Sequence, residues 1–427
     1  MAFDAAPVNV MGSWRGPANW SKAADFIAVL VALSLPWSTS LLAIFVVVWI
    51  LAVIPTIEWN EFGESLRRPI CLLPISFVVL AIAGTLWSSA PWAERLHGIN
   101  PTVKLLVLPV LFYHFERSTR GMWVAAAFLL SCTLLLIMSW VVVFYPQLAL
   151  KSDAFYGVPV KNYIDQSQEF TLCAVVLLYP VCEFARRSKL LAAALLAFLA
   201  ANFLVNMLFV VVARTSLVAM PIMLVVAAFL NLKLRDFVIA VGLVAVVAAL
   251  AWFASPQLRA RVQSVDSEYS QYEKTDEATS VGLRLEFWRK SVRLLAEAPF
   301  FGHGTGSTRS LFERAAANQV DAASVVIGNP HNQTLNNAVQ WGALGILVLY
   351  AMWLVHLLQF RGSGIVPWIG LLVVVQNMIT SVFNSHLFDF NQGWIYVLGV
   401  GIAGGMVQRE KWLTASLYPP ERSRVGA

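Results

Sequence analysis

The chain has 427 residues, of which 59% are hydrophobic and 13% charged, with a formal net charge of +6. Its mean hydropathy is +0.69, and the charged fraction is roughly half the ~25% of an average soluble protein, which excludes a soluble enzyme, a disordered chain and a disulfide-stapled secreted module. The basic balance does not call for nucleic acid, because Lys and Arg fall mostly in short caps between apolar runs, where membrane topology accounts for them.

Apolar runs of about 20 residues predict spans at 23–36, 37–55, 70–88, 101–115, 121–145, 167–184, 189–206, 207–230, 236–254, 337–358, 364–383 and 393–409. The fold class expected is therefore an all-α polytopic membrane protein with about twelve transmembrane helices. The first run follows a polar stretch and is followed at once by another, so no cleavable signal is expected. Cys71, Cys132, Cys173 and Cys182 lie in apolar segments, where a free thiol packs as a small hydrophobe.

Cationic residues are retained on the cytoplasmic side. Loops after even-numbered spans hold Arg67 and Arg68, Arg117 and Arg120, Arg186, Arg187 and Lys189, Lys233 and Arg235, and Arg361, while short loops after odd-numbered spans offer only Arg95, Lys151 and Lys161. With Arg15 and Lys22 before the first span and Arg409 and Lys411 after the last, both termini are expected in the cytoplasm. The expected organisation is spans one to nine over 1–254, an outward loop domain over 255–336, spans ten to twelve over 337–409 and a cytoplasmic tail over 410–427.

Residues 255–336 hold much of the chain's polarity, which marks a functional segment or a small inserted domain. Ser264 to Ser280 is acidic and polar and reads as a mobile loop. Arg284 to Glu297 carries Leu285, Trp288, Val292 and Leu295 at helical spacing, so an amphipathic helix is expected with that stripe inward. Pro299 and Gly302-His303-Gly304-Thr305-Gly306 break it, a second helix is expected near Ser310–Asn318, and Asn329-Pro330-His331-Asn332 leads into span ten.

Three places hold residues that a plain scaffold does not need. Arg214 sits in an otherwise apolar span, about seven residues in, or roughly 10 Å at 1.5 Å per residue. A guanidinium cannot shed its charge there, so it faces a polar cavity; the plainer alternative is that it snorkels or pairs with Asp165 or Glu169. The helix from Gly282 to Arg293 carries Arg284, Arg289, Lys290 and Arg293. Lys290 and Arg293 read as a solvated face, whereas Arg284, expected in the first turn where a cation opposes the helix dipole, points to an anionic ligand. The third place is His331 with Asn332 and Gln333, an imidazole beside amides that suit sugar hydroxyls. Downstream, Gly342 and Gly345 are three apart, a spacing that permits close helix contact.

No Walker loop, His-Glu-x-x-His, Cys-x-x-Cys or Gly-x-Ser-x-Gly element occurs, and His303 and His331 lack carboxylate or Cys neighbours at ligand spacing, so neither a metal nor a cofactor is expected. The Gly302–Gly306 run offers a weak anion nest. Two arginines and a histidine at one surface suggest a phosphate-bearing lipid and a general base.

From Gly282 to Gly345, Arg284 with Trp288, then Pro299-Phe300-Phe301-Gly302-His303-Gly304, Pro330-His331-Asn332 and Gln340-Trp341-Gly342-Ala343-Leu344-Gly345 resemble, in order and spacing, the O-antigen ligase and polymerase superfamily. In that superfamily an acidic residue usually stands where Gln340 does. The resemblance implies transfer of O-antigen from an undecaprenyl diphosphate donor to a lipid A-core acceptor at the periplasmic face of a Gram-negative inner membrane. It implies Arg214 and Arg284 on the diphosphate, Arg289 as a secondary contact, His331 as base and Asn332 on the acceptor. Alternatives are a polymerase joining lipid-linked repeat units, a transporter of an anionic lipid or glycan, which would require internal repeats, and a scaffold, which would tolerate loss of His331.

Overall fold

The computed structural model describes residues 17–151, 156–231 and 233–417. Arg15 and the last ten residues of the expected tail lie outside them. Among the described residues the chain is helical without strands. It opens with α1 (Pro17–Ser34), α2 (Thr39–Val53), α3 (Trp59–Leu66), α4 (Pro69–Ala83), α5 (Trp92–Val103) and α6 (Val107–Arg117). It continues through α7 (Gly121–Phe144), α8 (Tyr163–Arg186), α9 (Leu190–Phe209), α10 (Arg214–Asn231) and α11 (Leu234–Ala254). The polar insertion is α12 (Pro256–Thr275), α13 (Ser280–Glu297) and α14 (Thr308–Ala316), and α15 (Gln333–Gln359), α16 (Ile365–Thr380) and α17 (Phe390–Leu417) complete the bundle.

Every expected apolar run contains a helix, because a backbone in hydrocarbon must satisfy its own N–H and C=O groups. Among the described residues, seven helices are by length and composition able to cross a membrane, or eight if α3 and α4, bent by 79°, form one span. The expected twelve also counts α10 and α16, which are shorter apolar helices, and α1 and α17. The bundle core runs through Trp49, Phe77, Phe112, Trp353, Leu372 and Tyr396, all shielded from solvent.

Four features differ from the sequence expectations, each for a physical reason. The long apolar run 189–230 breaks at 210–213, after Val210 N and Val211 N have both bonded to Asn206 O (2.8 and 2.9 Å). Arg214 is consequently the first residue of α10 instead of lying two turns inside a span. Residues 264–275, expected as a mobile loop, are the second half of α12. That helix is started by Ser255, whose hydroxyl accepts from Leu258 N at 3.1 Å, with Pro256 at the first helical position.

The inward face of α13 follows the expected apolar residues only in part: Trp288 packs against the buried cluster. Phe287, Ser291 and Leu294 are buried, while Val292 is exposed. Lys290, expected in solvent, is buried too; its ammonium donates to Ala323 O and lies over the Phe312 ring, 5.8 Å from the centroid. A wide polar surface on a short helix leaves the stripe ambiguous until a partner selects it. Finally, Gly342 approaches a loop and not another helix. It breaks α15 internally at φ 59°, and a Cβ there would stand 2.6 Å from the backbone of Phe300.

That loop explains the glycine run. Gly302 has φ 63°, and a Cβ on it would meet the Gln340–Gly342 backbone at 2.6 Å. His303 N donates to Val339 O (2.9 Å), Gly304 N to Gln340 O (2.8 Å), Thr305 N to Gly84 O (3.0 Å) and Gly306 N to Gln340 Oε1 (2.9 Å). With those amide hydrogens bonded inside the protein, the run is a clamp on the α15 kink and not an anion nest. Gln340 serves this clamp through its amide oxygen, while its Nε2 donates to Asn336 at 3.0 Å.

Candidate active site

The break before α10 presents Arg214 at the end of the bundle that carries α12 and α13. The partner of Arg214 is neither Asp165 nor Glu169, which engage Gln392 (3.2 Å) and Asn391 (2.7 Å). It is Glu268 of α12: both terminal guanidinium nitrogens of Arg214 reach its carboxylate, Nη1 to Oε2 at 3.1 Å, and Nη2 also donates to Ser264 Oγ at 2.6 Å. These bonds hold the Glu268 carboxyl below the usual carboxylate range. The Arg214 Nε is buried and has no hydrogen-bond partner.

Arg284 lies in the second turn of α13, since Thr279 caps that helix by accepting from Gly282 N at 3.1 Å. Its guanidinium is half-buried, and its pKa is lowered first by burial and then by the charge of Arg214, with Tyr163 and Glu268 acting the other way. Among the described residues no carboxylate lies within salt-bridge distance of it. Arg284 and Arg214 therefore share one electrostatic neighbourhood with Glu268.

Phe287, three residues on along the same face, brings α13 against His331, with ring centroids 6.1 Å apart. His331 is held in the left-handed region at φ 53°, an uncommon conformation for a non-glycine residue. Asn329 Oδ1 fixes it, accepting from His331 N at 2.9 Å and from Ser385 Oγ at 2.7 Å. Its ring Nδ1 is 2.8 Å from Asn384 Oδ1, and Asn384 Nδ2 donates to Asp389 Oδ2 at 2.6 Å.

The carboxylate decides the tautomer. Because the amide NH₂ of Asn384 must face Asp389, its oxygen faces His331, so Nδ1 carries the hydrogen and Nε2 is left with its lone pair. Nε2 has no hydrogen-bond partner among the described residues. The His331 pKa is lowered, first by burial and also by the charge of Arg284, against the opposing effect of the Asn384 bond. A neutral imidazole with a lone pair free can accept a proton at neutral pH.

The structure thus gathers Arg214, Arg284 and His331 at one end of the bundle. Arg289 is elsewhere: it lies about 140° around α13 from Arg284 at 3.6 residues per turn, is exposed, and bonds Glu286 at 2.6 Å. Asn332 caps α15, its oxygen accepting from Leu335 N at 3.0 Å and its amide donating to Val382 O at 3.1 Å, which leaves one amide hydrogen for another partner. Sequence reasoning missed Glu268, placed in a supposed loop, and Asn384 and Asp389. The cluster Asn384-Ser385-His386 with Asp389, polar residues in a short connection between two apolar runs, was the available signal for the last two. Among the described residues no group of three or more His, Cys, Asp or Glu side chains is arranged to hold a metal.

Among the described residues the protein is thus an all-helical, multi-pass bundle that brings two guanidinium groups and an imidazole to one of its ends. Residues 196–350, which span α9 to the middle of α15, match the family model described as O-antigen ligase. The match covers roughly a third of the chain, and it is this segment that is similar to the O-antigen ligase family. The chain is also 26% identical over 154 residues to an uncharacterized protein of Haemophilus influenzae, an alignment covering 35% of this chain and 39% of that protein.

Proposed function

We propose that this protein transfers O-antigen polysaccharide from undecaprenyl diphosphate to the lipid A-core oligosaccharide at the periplasmic face of a Gram-negative inner membrane. In this reading twelve helices cross the bilayer, both termini are cytoplasmic, and 255–336 forms the periplasmic domain. The observation that carries the reading is the convergence of Arg214, from a span, and Arg284, from the inserted domain, beside an imidazole whose Nε2 has no hydrogen-bond partner among the described residues.

The chemistry follows from those groups. An acceptor hydroxyl oxygen attacks the anomeric carbon as the bond from that carbon to the diphosphate oxygen breaks. The hydroxyl proton passes to His331 Nε2, and the charge released on the diphosphate is held by Arg214 and Arg284. Direct displacement inverts the anomeric centre and calls for no side-chain nucleophile. Arginine neutralisation of the leaving group removes the requirement for a divalent ion, so a chelator should leave the rate unchanged. The remaining amide hydrogen of Asn332 is available to an acceptor hydroxyl; Arg289 is at most an outer contact of the donor.

Purified protein in lipid, incubated with a polyprenyl-diphosphate glycan and lipid A-core, tests the proposal. Glycan appearing on lipid A-core is the expected result. Elongated lipid-linked glycan alone would identify a polymerase, and no covalent product with either acceptor would overturn the transfer reading.

A further inference from the structure

Between α10 and α12 lies an open cavity of about 460 Å³, lined among others by Arg214, Leu217, Val218, Arg261, Val265 and Tyr269. Leu217 and Val218 follow Arg214 by three and four residues, so they continue the same face of α10 into its apolar length. Val218 and Val265 are exposed although apolar. The cavity is thus cationic at one end and greasy along its wall, the profile of a charged headgroup with a hydrocarbon chain.

The charges at that end are unevenly matched. Arg214 is bound by Glu268 through its two terminal nitrogens only, and its buried Nε is unpartnered. Arg284 is electrostatically coupled to both Arg214 and Glu268 without an ion pair of its own. Arg261 lies over the Tyr163 ring, 5.6 Å from the centroid, and no carboxylate pairs with it among the described residues. Asp266, on the exposed rim of the cavity, is the other acid present. Arg214 and Arg284 both act on the Glu268 carboxylate, and Arg261 stands with Arg214 on the cavity wall.

A carboxylate and a phosphate present the same pair of oxygens to an arginine fork. We infer that Glu268 occupies the seat taken by one phosphate of a lipid-linked diphosphate, that the incoming lipid displaces it, and that Arg261 then completes the seat as a third cation. The lipid chain leaves along Leu217, Val218 and Val265. Glu268 is suited to such an exchange because its side chain is partly exposed and its three bonds, two from Arg214 and one from Val281 N, all come from donors that a phosphate oxygen can also accept from. Displacing it frees both Arg214 nitrogens and also Val281 N, which donates to Glu268 Oε2 at 3.2 Å. Ser264 remains on Arg214 and keeps the fork oriented. The effect is to shield the cations from other anions until a ligand of higher charge arrives.

This inference rests on the lipid-diphosphate reading of the site but not on glycan transfer, and binding measurements separate the two. Full-length protein in lipid nanodiscs is titrated with farnesyl diphosphate, with inorganic diphosphate and farnesol as comparisons. Glu268→Gln, which removes the competing charge, should lower the Kd for farnesyl diphosphate by about tenfold, or ~1.4 kcal/mol. Arg261→Gln should raise it by a similar factor, and Arg261→Lys should recover part of the loss. Farnesyl diphosphate should bind more tightly than inorganic diphosphate, and farnesol should not bind.

An unchanged or higher Kd in Glu268→Gln makes Glu268 a tether for Arg214 and overturns the inference. So does farnesyl diphosphate binding no better than inorganic diphosphate. If Glu268→Gln lowers the Tm, Glu268→Asp applies the same test, since a shorter carboxylate grips Arg214 less and should also tighten binding. Tightening in a protein that transfers no glycan would uphold the inference while removing the transfer reading; transfer without tightening would do the reverse.

Discussion

His356 and His331 stand at opposite ends of α15 and are bonded in different ways. His356 is fully buried, with Nδ1 at 2.6 Å from the Tyr396 hydroxyl and Nε2 at 3.1 Å from Ile70 O, so both ring nitrogens serve the packing of α4, α15 and α17. His331 is half-buried, with Nδ1 held by Asn384 and, among the described residues, no partner on Nε2. The same contrast separates the glycine clamp, where the amide hydrogens of 303–306 have acceptors inside the protein, from the arginine cluster, where Arg214 and Arg284 share the one carboxylate of Glu268. Residue type does not distinguish structure from chemistry in this chain; unused hydrogen-bonding capacity does.

The largest expected effect breaks the comparison between the two histidines. His331→Ala should lower glycan transfer by about 10²–10⁴-fold, the usual worth of a general base, with the protein still inserted and its Tm little changed. His356→Ala should do the opposite, lowering the Tm through ~1–3 kcal/mol of lost buried bonding while transfer per folded molecule persists. Equal loss of transfer in both would show that the unbonded nitrogen has no special part.

Arg214→Lys retains the charge but not the fork. With one or two charge-assisted bonds lost at about 1.5–3 kcal/mol each, turnover should fall by roughly 10–100-fold, measured with saturating acceptor. Wild-type turnover would return Arg214 to a packing role with Glu268.

A clamp and a reactive site should also answer differently to small changes. Gly302→Ala forces a Cβ into the Gln340–Gly342 backbone at positive φ, and should lower stability by ~1–3 kcal/mol, visible as a reduced Tm. Asn384→Ala should leave the Tm nearly unchanged and lower transfer by about tenfold.

The pH profile sharpens this further. In the proposed mechanism His331 acts as the neutral base, and its pKa lies below the ordinary 6.5, so transfer should be flat above neutrality and fall only on acidification below that value. The Asn384 bond raises the pKa of His331, so removing it should move the acid limb to still lower pH. Removing the charge of Arg284 should move the limb upward. An acid limb unmoved by either variant would separate His331 from the titration that governs the rate. The smallest effect expected is that of Arg289→Ala, less than about twofold in transfer, since Arg289 is exposed and occupied by Glu286 and exposed pairs contribute little.

Much of the fold was legible because membrane insertion leaves so few options. An apolar run long enough to cross must be helical, and each such run contains a helix here. Arg284 and His331 also stood out in the sequence as candidates, one as a cation on a helix otherwise amphipathic, the other as an imidazole among amides. Less legible were positions fixed by a partner distant in sequence. Nothing local indicates that Arg214 begins a helix, since its apolar neighbours on both sides read as one run. The polar stretch holding Glu268 has no apolar stripe, so its helix depends on capping by Ser255 and packing by α13.

The amino-acid sequence by itself determined that this is a membrane protein built of helices, with a polar insertion and a small set of cations that hydrocarbon would not tolerate unpaired, because solvation of the side chains decides those matters locally. Only the tertiary structure decided that Arg214 answers to Glu268, that His331 is oriented through Asn384 by Asp389, and that Arg284 but not Arg289 stands near them. Each of those depends on the direction of a side chain across a contact between segments 5 to more than 50 residues apart, and direction across such a contact is set by packing, which no local pattern encodes.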